Sequence, residues 1–480
     1  MYLGLDIGTS GMKAVVIDAD DRLVADATAS LAVSRPQPLW AEQDPEDWWR
    51  AVSTALDTLA ADAPKAMAAV QAIGLSGQML GVALLDAADR PIRPALLWSD
   101  GRASAECAAL ERLFPDFADT VGCRAMPGFS APKLLWLARY EPAALARTRR
   151  VLLTKDDVRL RLTGEAASDR ADSSATLLMD TRAGDWRDDI VAACGIDRAK
   201  LPRLVESAEI AGTLRDELAA RWHLPRNTPV VGGGGDNMCA GIGVGAVKSG
   251  DAYIGLGTSG VYCLANHRFV PATGGGMHTH RHAVAGLFAQ HAVVLSAGES
   301  LAWAGRLLRT SDIGTLIAEA EAANLSPDDT PVFTPYLAGE RTPHDDPHLT
   351  ATLSGLTHAT SAPAVAQAVM EGVALAFADG HDALTGSGAT IGTVTLTGGG
   401  ARSRLWARLI AAAIGLPVTV QAGAQAGPAI GAARLARQGI GGPLIATTPG
   451  DSRTVAVEPS LSEQLQRKRV VFRKHLGLSR

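Results

Sequence analysis

Apolar residues along the chain recur in two patterns, short dense runs and longer stretches with helical spacing. The short runs predict β-strands at residues 70–76, 82–85, 228–231 and 393–397. The helical spacing predicts α-helices over residues 45–61, 364–385 and 403–414, with Asp44 and Ser403 as the N-caps of the first and the last. Because strands and helices alternate throughout the chain, the pattern predicts an α/β fold.

The chain begins with a pattern that it repeats in its second half. Two apolar runs flank a tight turn at residues 7–11 (IGTSG), and the same arrangement surrounds residues 256–260 (LGTSG). The shift of 249 residues is about half of the chain. This period favours duplication into two related α/β domains, residues 1–245 and 246–480, although a five-residue match can also arise by chance.

Composition is that of an ordinary globular protein, with 47% hydrophobic and 20% charged residues, and it excludes a disordered chain. A length of 480 residues also supports two domains. The net charge of −5 gives no support for nucleic-acid binding. No apolar run reaches the roughly 18 residues of a membrane span, and the N-terminus lacks signal-peptide features. The five cysteines are widely spaced without a Cys-x-x-Cys pair, so we expect a cytoplasmic protein.

Four glycine-rich loops follow predicted strands, at residues 8–11, 232–235, 257–260 and 398–400. None of them is a P-loop or a Gly-x-Gly-x-x-Gly fingerprint, which disfavours the two common nucleotide-binding folds. Glycine brings the backbone close to a ligand, and backbone N–H groups bind phosphate. Only the first loop also has a carboxylate and an amine beside it, Asp6 and Lys13. We therefore expect a phosphate-binding cleft between two domains.

Several longer segments resemble the FGGY carbohydrate kinases, and within that family the kinases of xylulose. They are DIGTSGMK (6–13), LTKDDVRLRLTGE (153–165), GGGGDN (232–237), GLGTSG (255–260), PYLAGERTPH (335–344), TGGGARS (397–403) and GPAIGAA (427–433). The resemblance runs from residue 1 to about residue 436. It implies two related ribonuclease-H-like domains of the actin- and hexokinase-like ATPase type, with the active site between them. It also implies transfer of the γ-phosphate of ATP, with Mg²⁺, to a hydroxyl group of a ketopentose, D-xylulose.

The same resemblance implies roles for individual residues. Asp236 is the expected base that accepts the proton of the sugar hydroxyl, and Asp6 is expected to hold Mg²⁺ largely through water. The expected sugar contacts are Gln78, Met79, Leu80, Asp236 and Asn237. The expected contacts to ATP and its phosphates are Gly8, Thr9, Lys13, Gly257, Thr258, Ser259, Gly399, Gly400 and Ala401. Lys13 begins a predicted strand, so an alternative is that it points at solvent. Trp98, beside Asp100, is a further candidate near the sugar.

One of the expected sugar contacts differs from the family pattern. Leu80 stands where the xylulose kinases have a histidine that donates to a sugar oxygen. This leaves another ketose or a pentitol, such as ribulose, as an alternative substrate. A non-catalytic sugar-sensing ATPase and an actin-like assembly ATPase are alternatives from other classes. The expected partners are a small sugar and ATP, and a homodimer is one option for assembly.

Three histidines, His278, His280 and His282, alternate along the chain and would share one face of a strand. Three imidazoles on one face are a candidate zinc site. The resemblance implies no zinc, so we favour a partly exposed structural strand. Glu371, in the middle of a predicted helix, is also interpreted as structural.

Overall fold

Two mixed β-sheets, one in each half of the chain, form the framework of the protein. The computed structural model describes residues 1–271, 274–310, 312–421, 427–445 and 452–476. The strands of the first half are β1 (Tyr2–Ile7), β2 (Gly11–Ile17), β3 (Leu23–Ser30), β4 (Glu42–Gln43), β5 (Ala72–Gly77), β6 (Ala83–Leu85), β7 (Ala95–Leu96), β8 (Arg150–Leu152), β9 (Ala167–Asp169), β10 (Met179–Asp180), β11 (Asp185–Trp186), β12 (Arg203–Val205), β13 (Ile210–Thr213), β14 (Pro229–Val231) and β15 (Gly234–Gly235). Those of the second half are β16 (Asp251–Leu256), β17 (Gly260–Asn266), β18 (His278–Arg281), β19 (Phe288–Val294), β20 (Val332–Thr334), β21 (Thr352–Ser354), β22 (Thr393–Thr397), β23 (Val418–Gln421) and β24 (Ser452–Val455).

Helices cover the faces of both sheets. The α-helices are α1 (Pro45–Asp62), α2 (Pro64–Ala68), α3 (Ser104–Leu113), α4 (Phe117–Val121), α5 (Ser130–Tyr140), α6 (Pro142–Arg147), α7 (Thr154–Thr163), α8 (Arg170–Ser174), α9 (Asp188–Ala193), α10 (Asp216–Arg221), α11 (Asp236–Gly243), α12 (Gly298–Leu307), α13 (Ile313–Ala323), α14 (Ala362–Gly386), α15 (Arg404–Ile414), α16 (Gly427–Gly439) and α17 (Pro459–Lys474). Short 3₁₀ helices lie at Arg198–Lys200, Pro327–Asp329 and Gly399–Arg402. In the described part of the chain, no helix has the length and apolar character needed to cross a membrane.

The two sheets have the same plan. In the first, the strand order is β13-β14-β5-β1-β2-β3, with β15 also paired to β5, and in the second it is β24-β23-β22-β16-β17-β19-β18. The repeated hairpins, β1–β2 and β16–β17, are antiparallel, and the first strand of each also pairs in parallel with β5 or β22. The matching order and strand directions confirm the α/β fold with two related domains that the internal repeat predicted.

Local signals in the sequence place the main elements correctly. The side chain of Asp44 accepts a hydrogen bond from the amide of Glu46 at the start of α1, and Ser403 accepts one from the amide of Trp406 at the start of α15. One prediction needs correction. Residues 232–235 were expected to form a loop, but Gly234 and Gly235 form the short strand β15, because their backbone pairs with Ser76 and Gly77 of β5.

Helix α16, near the C-terminus, packs on the sheet of the first half. Its backbone comes so close to β1 and β5 that a Cβ atom on Gly4 would lie 1.9 Å from the carbonyl oxygen of Ala429, and one on Gly74 would lie 1.9 Å from that of Ala432. On its other side, a Cβ atom on Gly431 would lie 1.9 Å from the carbonyl oxygen of Cys239 in α11. The small residues of this helix therefore fix α11 against the first sheet.

Candidate active site

A cleft of about 860 Å³ opens between the two halves of the chain. The first half contributes Thr9 and Asp236 to its lining, and the second half contributes Ser259. Thr9 and Ser259 belong to the two copies of the repeated Gly-Thr-Ser-Gly turn. Both turns therefore reach the same cleft, as the sequence analysis expected of a phosphate-binding site between two domains.

Two carboxylates meet at one edge of the first sheet. Strands β1, β5 and β15 are parallel neighbours, so their carboxyl ends lie at the same edge. Asp6 on β1 is opposite Ser76 on β5, whose hydroxyl donates a 2.8 Å hydrogen bond to Asp6 Oδ1. Gly234 of β15 also pairs with Ser76, and Asp236 follows two residues later as the first residue of α11. The topology thus brings together two aspartates that are 230 positions apart in the sequence.

Burial shifts the titration of both aspartates toward neutral pH. Burial, together with the negative charges of Asp6 and Asp172, raises the pKa of Asp236 to about 8. Burial also raises the pKa of Asp6 to about 6, against the opposing effects of the Ser76 hydroxyl and the Lys13 ammonium. A carboxylate with a raised pKa is a better proton acceptor near neutral pH, and two such groups together favour a bound cation.

A buried network of charged side chains lies next to Gly235, the residue that precedes Asp236. Lys155 Nζ lies 3.0 Å from a carboxylate oxygen of Asp156, 2.7 Å from one of Asp169 and 2.9 Å from one of Asp172. All four side chains are fully buried. Asp172 Oδ1 faces Gly235, because a Cβ atom on that glycine would lie 3.1 Å from it. The pKa of Asp172 is raised to about 7 by burial, although Lys155 lowers it.

Arg159 connects this network to the glycine run that precedes Asp236. Its guanidinium donates to the carbonyl oxygen of Gly232 and also contacts Asp156 at 2.7 Å. A buried guanidinium with these partners fixes the backbone on which Asp236 is carried. The sequence alone did not reveal this network, although Lys155, Asp156 and Arg159 stand inside the LTKDDVRLRLTGE segment, because a helix this polar is normally exposed.

The turn of Thr9 is held by a chain of side-chain hydrogen bonds. Trp98 Nε1 donates to Thr9 Oγ1 at 2.9 Å, and Thr9 Oγ1 donates to Gln78 Oε1 at 3.1 Å. Gln78 Nε2 donates to Gln43 Oε1 at 2.7 Å, and Gln43 Nε2 donates to the carbonyl oxygen of Thr9 at 2.7 Å. Gln78 is therefore buried behind the turn, whereas Trp98 is half exposed and lines the cleft.

The other expected sugar contacts, Met79, Leu80 and Asn237, line the cleft. Leu80 has a φ of 68°, a left-handed conformation that is unfavourable for leucine. Its carbonyl oxygen accepts hydrogen bonds from Ser130 Oγ at 3.0 Å and from Lys133 Nζ at 2.8 Å, and these bonds hold the backbone in place. A strained residue held in this way at a cleft is typical of a functional position.

In the second half, two turns that are expected to bind ATP lie side by side. Residues 257–259 follow β16, and Gly399–Arg402 follow the adjacent parallel strand β22. The carbonyl oxygens of Gly257 and Thr258 accept hydrogen bonds from amides at the start of α12. Gly257, Thr258 and Ser259 are exposed, and of these three Ser259 lines the cleft.

Several expected site residues do not line this cleft in the structure. They are Asp6, Gly8, Lys13, Gln78, Gly257, Thr258, Gly399, Gly400 and Ala401. Lys13 Nζ lies 3.6 Å from Asp26 Oδ2 on the neighbouring strand β3, an ion pair that the sequence analysis did not consider. Glu371 is buried in α14, where it pairs with Lys468 and accepts a hydrogen bond from Thr330, so its position is structural.

The strand predicted to contain His278, His280 and His282 differs from the prediction. His278 and His280 lie on β18 and are buried, not partly exposed, and both line the cleft together with His291 of β19. His282 lies beyond the end of β18, and its Nδ1 accepts a hydrogen bond from the amide of Val284. Within the described ranges, no group of three or more His, Cys, Asp or Glu residues has the geometry of a metal site.

Comparison with known proteins extends the resemblance over the whole fold. Residues 1–243 match the FGGY family of carbohydrate kinases, N-terminal domain, and residues 252–438 match its C-terminal domain. The xylulose kinase of Escherichia coli is 44% identical over 438 residues, which cover 91% of this chain and 90% of that protein.

Solved structures agree with these sequence matches. A "xyloylose kinase" from Brucella ovis has a TM-score of 0.95 and 42% identity and covers 99% of both chains. The xylulose kinase from Rhodospirillum rubrum has a TM-score of 0.91 and 29% identity and covers all of both chains. With both domains matched and relatives this similar, the chain belongs to the FGGY family of carbohydrate kinases.

Proposed function

We propose that the protein transfers the γ-phosphate of ATP to a ketopentose and converts D-xylulose into D-xylulose 5-phosphate. The observation that carries the proposal is the position of Asp236, a carboxylate with a raised pKa at the wall of the cleft that both Gly-Thr-Ser-Gly turns reach. The choice of sugar is supported by relatives from Escherichia coli and Brucella ovis that are described as kinases of xylulose.

In this mechanism, Asp236 accepts the proton of the sugar hydroxyl while the hydroxyl oxygen attacks the γ-phosphorus. The bond between that phosphorus and the β–γ bridging oxygen breaks, and ADP leaves. Phosphoryl transfer has a loose transition state, so the base acts mainly by orienting the hydroxyl and taking its proton late. The amide of Asn237 donates a 2.7 Å hydrogen bond to Asp236 Oδ1, which sets the direction of the carboxylate.

The residues of the site fit magnesium. Asp6 and Asp236 are partly buried carboxylates whose pKa values are raised because each is desolvated, and a divalent cation would relieve this. Asp6 is the residue that we expect to hold the ion, largely through water. When bound, magnesium would neutralise negative charge on the phosphate oxygens.

We infer that residues 1–245 bind the sugar and residues 246–480 bind ATP. The turns at 257–259 and 399–401 then offer backbone donors to the nucleotide phosphates. Thr9, on the opposite side of the cleft, is placed to contact the transferred group. Closure of the two domains would exclude water, which would otherwise accept the phosphate in place of the sugar.

The test is a coupled ADP-release assay over a panel of ketoses, aldoses and pentitols. We expect D-xylulose to give the highest kcat/KM, and Asp236→Asn to lower kcat by roughly 10²- to 10⁴-fold while ATP binding is retained. The matched control is Asp86→Asn, since Asp86 also accepts hydrogen bonds from nearby backbone amides but lies at an exposed turn.

Three outcomes would contradict parts of the proposal. Near-normal turnover of Asp236→Asn would remove that residue as the base. A preference for ribulose or a pentitol would keep the kinase and change the substrate. A folded protein that phosphorylates no sugar in the panel would refute the function.

A further inference from the structure

Three histidines that the mechanism above does not use form one cluster in the cleft. His278 and His280 lie on β18, and His291 lies on the adjacent strand β19, where it pairs in register with His278. The ring centroids of His278 and His280 are 5.8 Å apart, as are those of His280 and His291. All three rings line the cleft that also contains Asp236 and Leu80. We call this cluster the histidine wall.

The histidine wall lies where the two halves of the protein meet. The ring of Phe129, from the first half, is 5.5 Å from that of His278 in an edge-to-face arrangement. On β18, the amide of Thr279 donates to the carbonyl oxygen of Gly122 at 2.8 Å, and the amide of Arg281 donates to Ser174 Oγ at 2.9 Å. Because Leu80 packs on the hydrophobic cluster that contains Phe129, the histidine wall borders the sugar side of the cleft.

Ring nitrogens of the histidine wall lack hydrogen-bond partners. His278 Nε2, His280 Nδ1 and His291 Nε2 are buried and bond to no other atom of the described protein. A buried polar atom without a partner destabilises a fold, whereas phenylalanine or methionine would fill the same space without that cost. Three imidazoles at a cleft, each with one buried ring nitrogen that lacks a partner, therefore indicate a ligand rather than packing.

The chemistry of the rings indicates what kind of ligand. Burial lowers the pKa of His280 to about 3 and that of His291 to about 4, and burial with the charge of Arg341 lowers the pKa of His278. The rings are therefore neutral at physiological pH, and each carries one donor and one acceptor. Hydroxyl groups match this arrangement because they too both donate and accept. Arg341, whose charge acts on His278, has the carboxyl groups of Glu340 and Asp345 nearby.

The two walls of the cleft offer different kinds of contact to a polyhydroxylated chain. On the first-half wall, Met79 and Leu80 present apolar side chains near Asp236, suited to carbon atoms. On the facing wall, the histidines present hydrogen-bonding groups. Given the proposed kinase function, we propose that His278, His280 and His291 are sugar-specificity residues that hydrogen-bond the hydroxyl groups remote from the phosphorylated one.

The test replaces one histidine by a residue of the same shape. His280→Phe retains the ring and removes both nitrogens. We expect the KM for D-xylulose to rise about 5- to 100-fold, as for one or two lost hydrogen bonds, with the KM for ATP unchanged. The midpoint of thermal unfolding without sugar should equal or exceed that of the parent, because the variant no longer buries an unpaired nitrogen. A residue with a merely structural role would instead lower this midpoint and leave the KM for sugar unchanged.

A second measurement uses 1-deoxy-D-xylulose, which lacks the hydroxyl at the end of the chain opposite the phosphorylated carbon. The parent should discriminate against this analogue more strongly than His280→Phe does. The matched control is His282→Asn, which retains an acceptor for the amide of Val284 and lies outside the cleft lining. This control should retain the parent KM for sugar.

The outcomes separate the inference from the proposed function. An active parent together with an unchanged KM and unchanged discrimination in His280→Phe would overturn the role of the histidine wall alone. If His280→Phe does not fold, His291→Met provides the same readouts, and failure of both to fold would also overturn the inference. A folded parent that phosphorylates no sugar would refute the kinase function itself.

Discussion

Replacing Gly431 by alanine tests whether α16 positions α11, the helix that begins with the proposed base Asp236. The added Cβ atom would lie 1.9 Å from the carbonyl oxygen of Cys239 and 2.7 Å from its carbonyl carbon. Carbon and oxygen in contact normally lie about 3.3 Å apart or more, so the two helices must separate by roughly 1.4 Å. Because α11 begins at Asp236, this movement displaces the proposed base.

The expected magnitude follows from that displacement. Overpacking a rigid contact between backbones costs about 1–3 kcal/mol of unfolding free energy. A misplacement of about 1 Å in a reacting group can lower kcat by up to roughly 10²-fold. We therefore expect Gly431→Ala to lower both the thermal midpoint and kcat, measured by thermal unfolding and by the coupled ADP-release assay.

The same helix offers a matched control. Among the described residues outside its own helix, the nearest atom to a Cβ atom on Gly427 would be Ala240 Cα at 4.0 Å, so Gly427→Ala adds the same methyl group without a clash with α11. In a helix, this change should be neutral or stabilise by up to about 1 kcal/mol. If Gly431→Ala behaves like Gly427→Ala in both assays, the close contact between α16 and α11 does not position Asp236, and the reasoning is refuted.

Four further predictions concern the metal, the base, closure and the sugar. Asp6→Ala should lower kcat and raise the magnesium concentration needed for half-maximal activity while the protein stays folded, and an unchanged magnesium titration would leave Asp6 a structural residue. Because Asp236 must be ionised to accept a proton and its pKa is raised to about 8, kcat/KM should fall as the pH is lowered through this value. Asp172→Asn removes a negative charge that raises this pKa, so the decline should move to lower pH, and a profile identical to that of the parent would contradict the coupling. Sugar with a non-hydrolysable ATP analogue should reduce the radius of gyration in solution scattering, and identical curves would argue against a closing cleft. Leu80→His should raise kcat/KM for D-xylulose relative to other ketoses, whereas unaltered values for every sugar would show that Leu80 is not a specificity residue.

Local features of the fold could be predicted from the sequence because they depend on residues that are neighbours in the chain. The hairpin of β1 and β2, the caps at Asp44 and Ser403, and the helix that Asp44 begins all follow from short patterns. The internal repeat indicated two related α/β domains, and the resemblance indicated Asp6 and Asp236 as site residues. Each of these inferences required only periodicity, turn chemistry or a motif.

Contacts between distant segments required the tertiary structure. The sequence of α7 is typical of a polar surface helix, yet Lys155 and Arg159 are fully buried. Asp169 and Asp172 from the next segment pair with Lys155, and the carbonyl oxygens of Ala167 and Gly232 accept hydrogen bonds from Arg159. The histidine wall depends on His291 of β19 lying beside β18, a pairing that no local pattern specifies. Burial of a polar side chain depends on which partners the fold brings to it, and that information lies in the packing of the whole chain rather than in the residue itself.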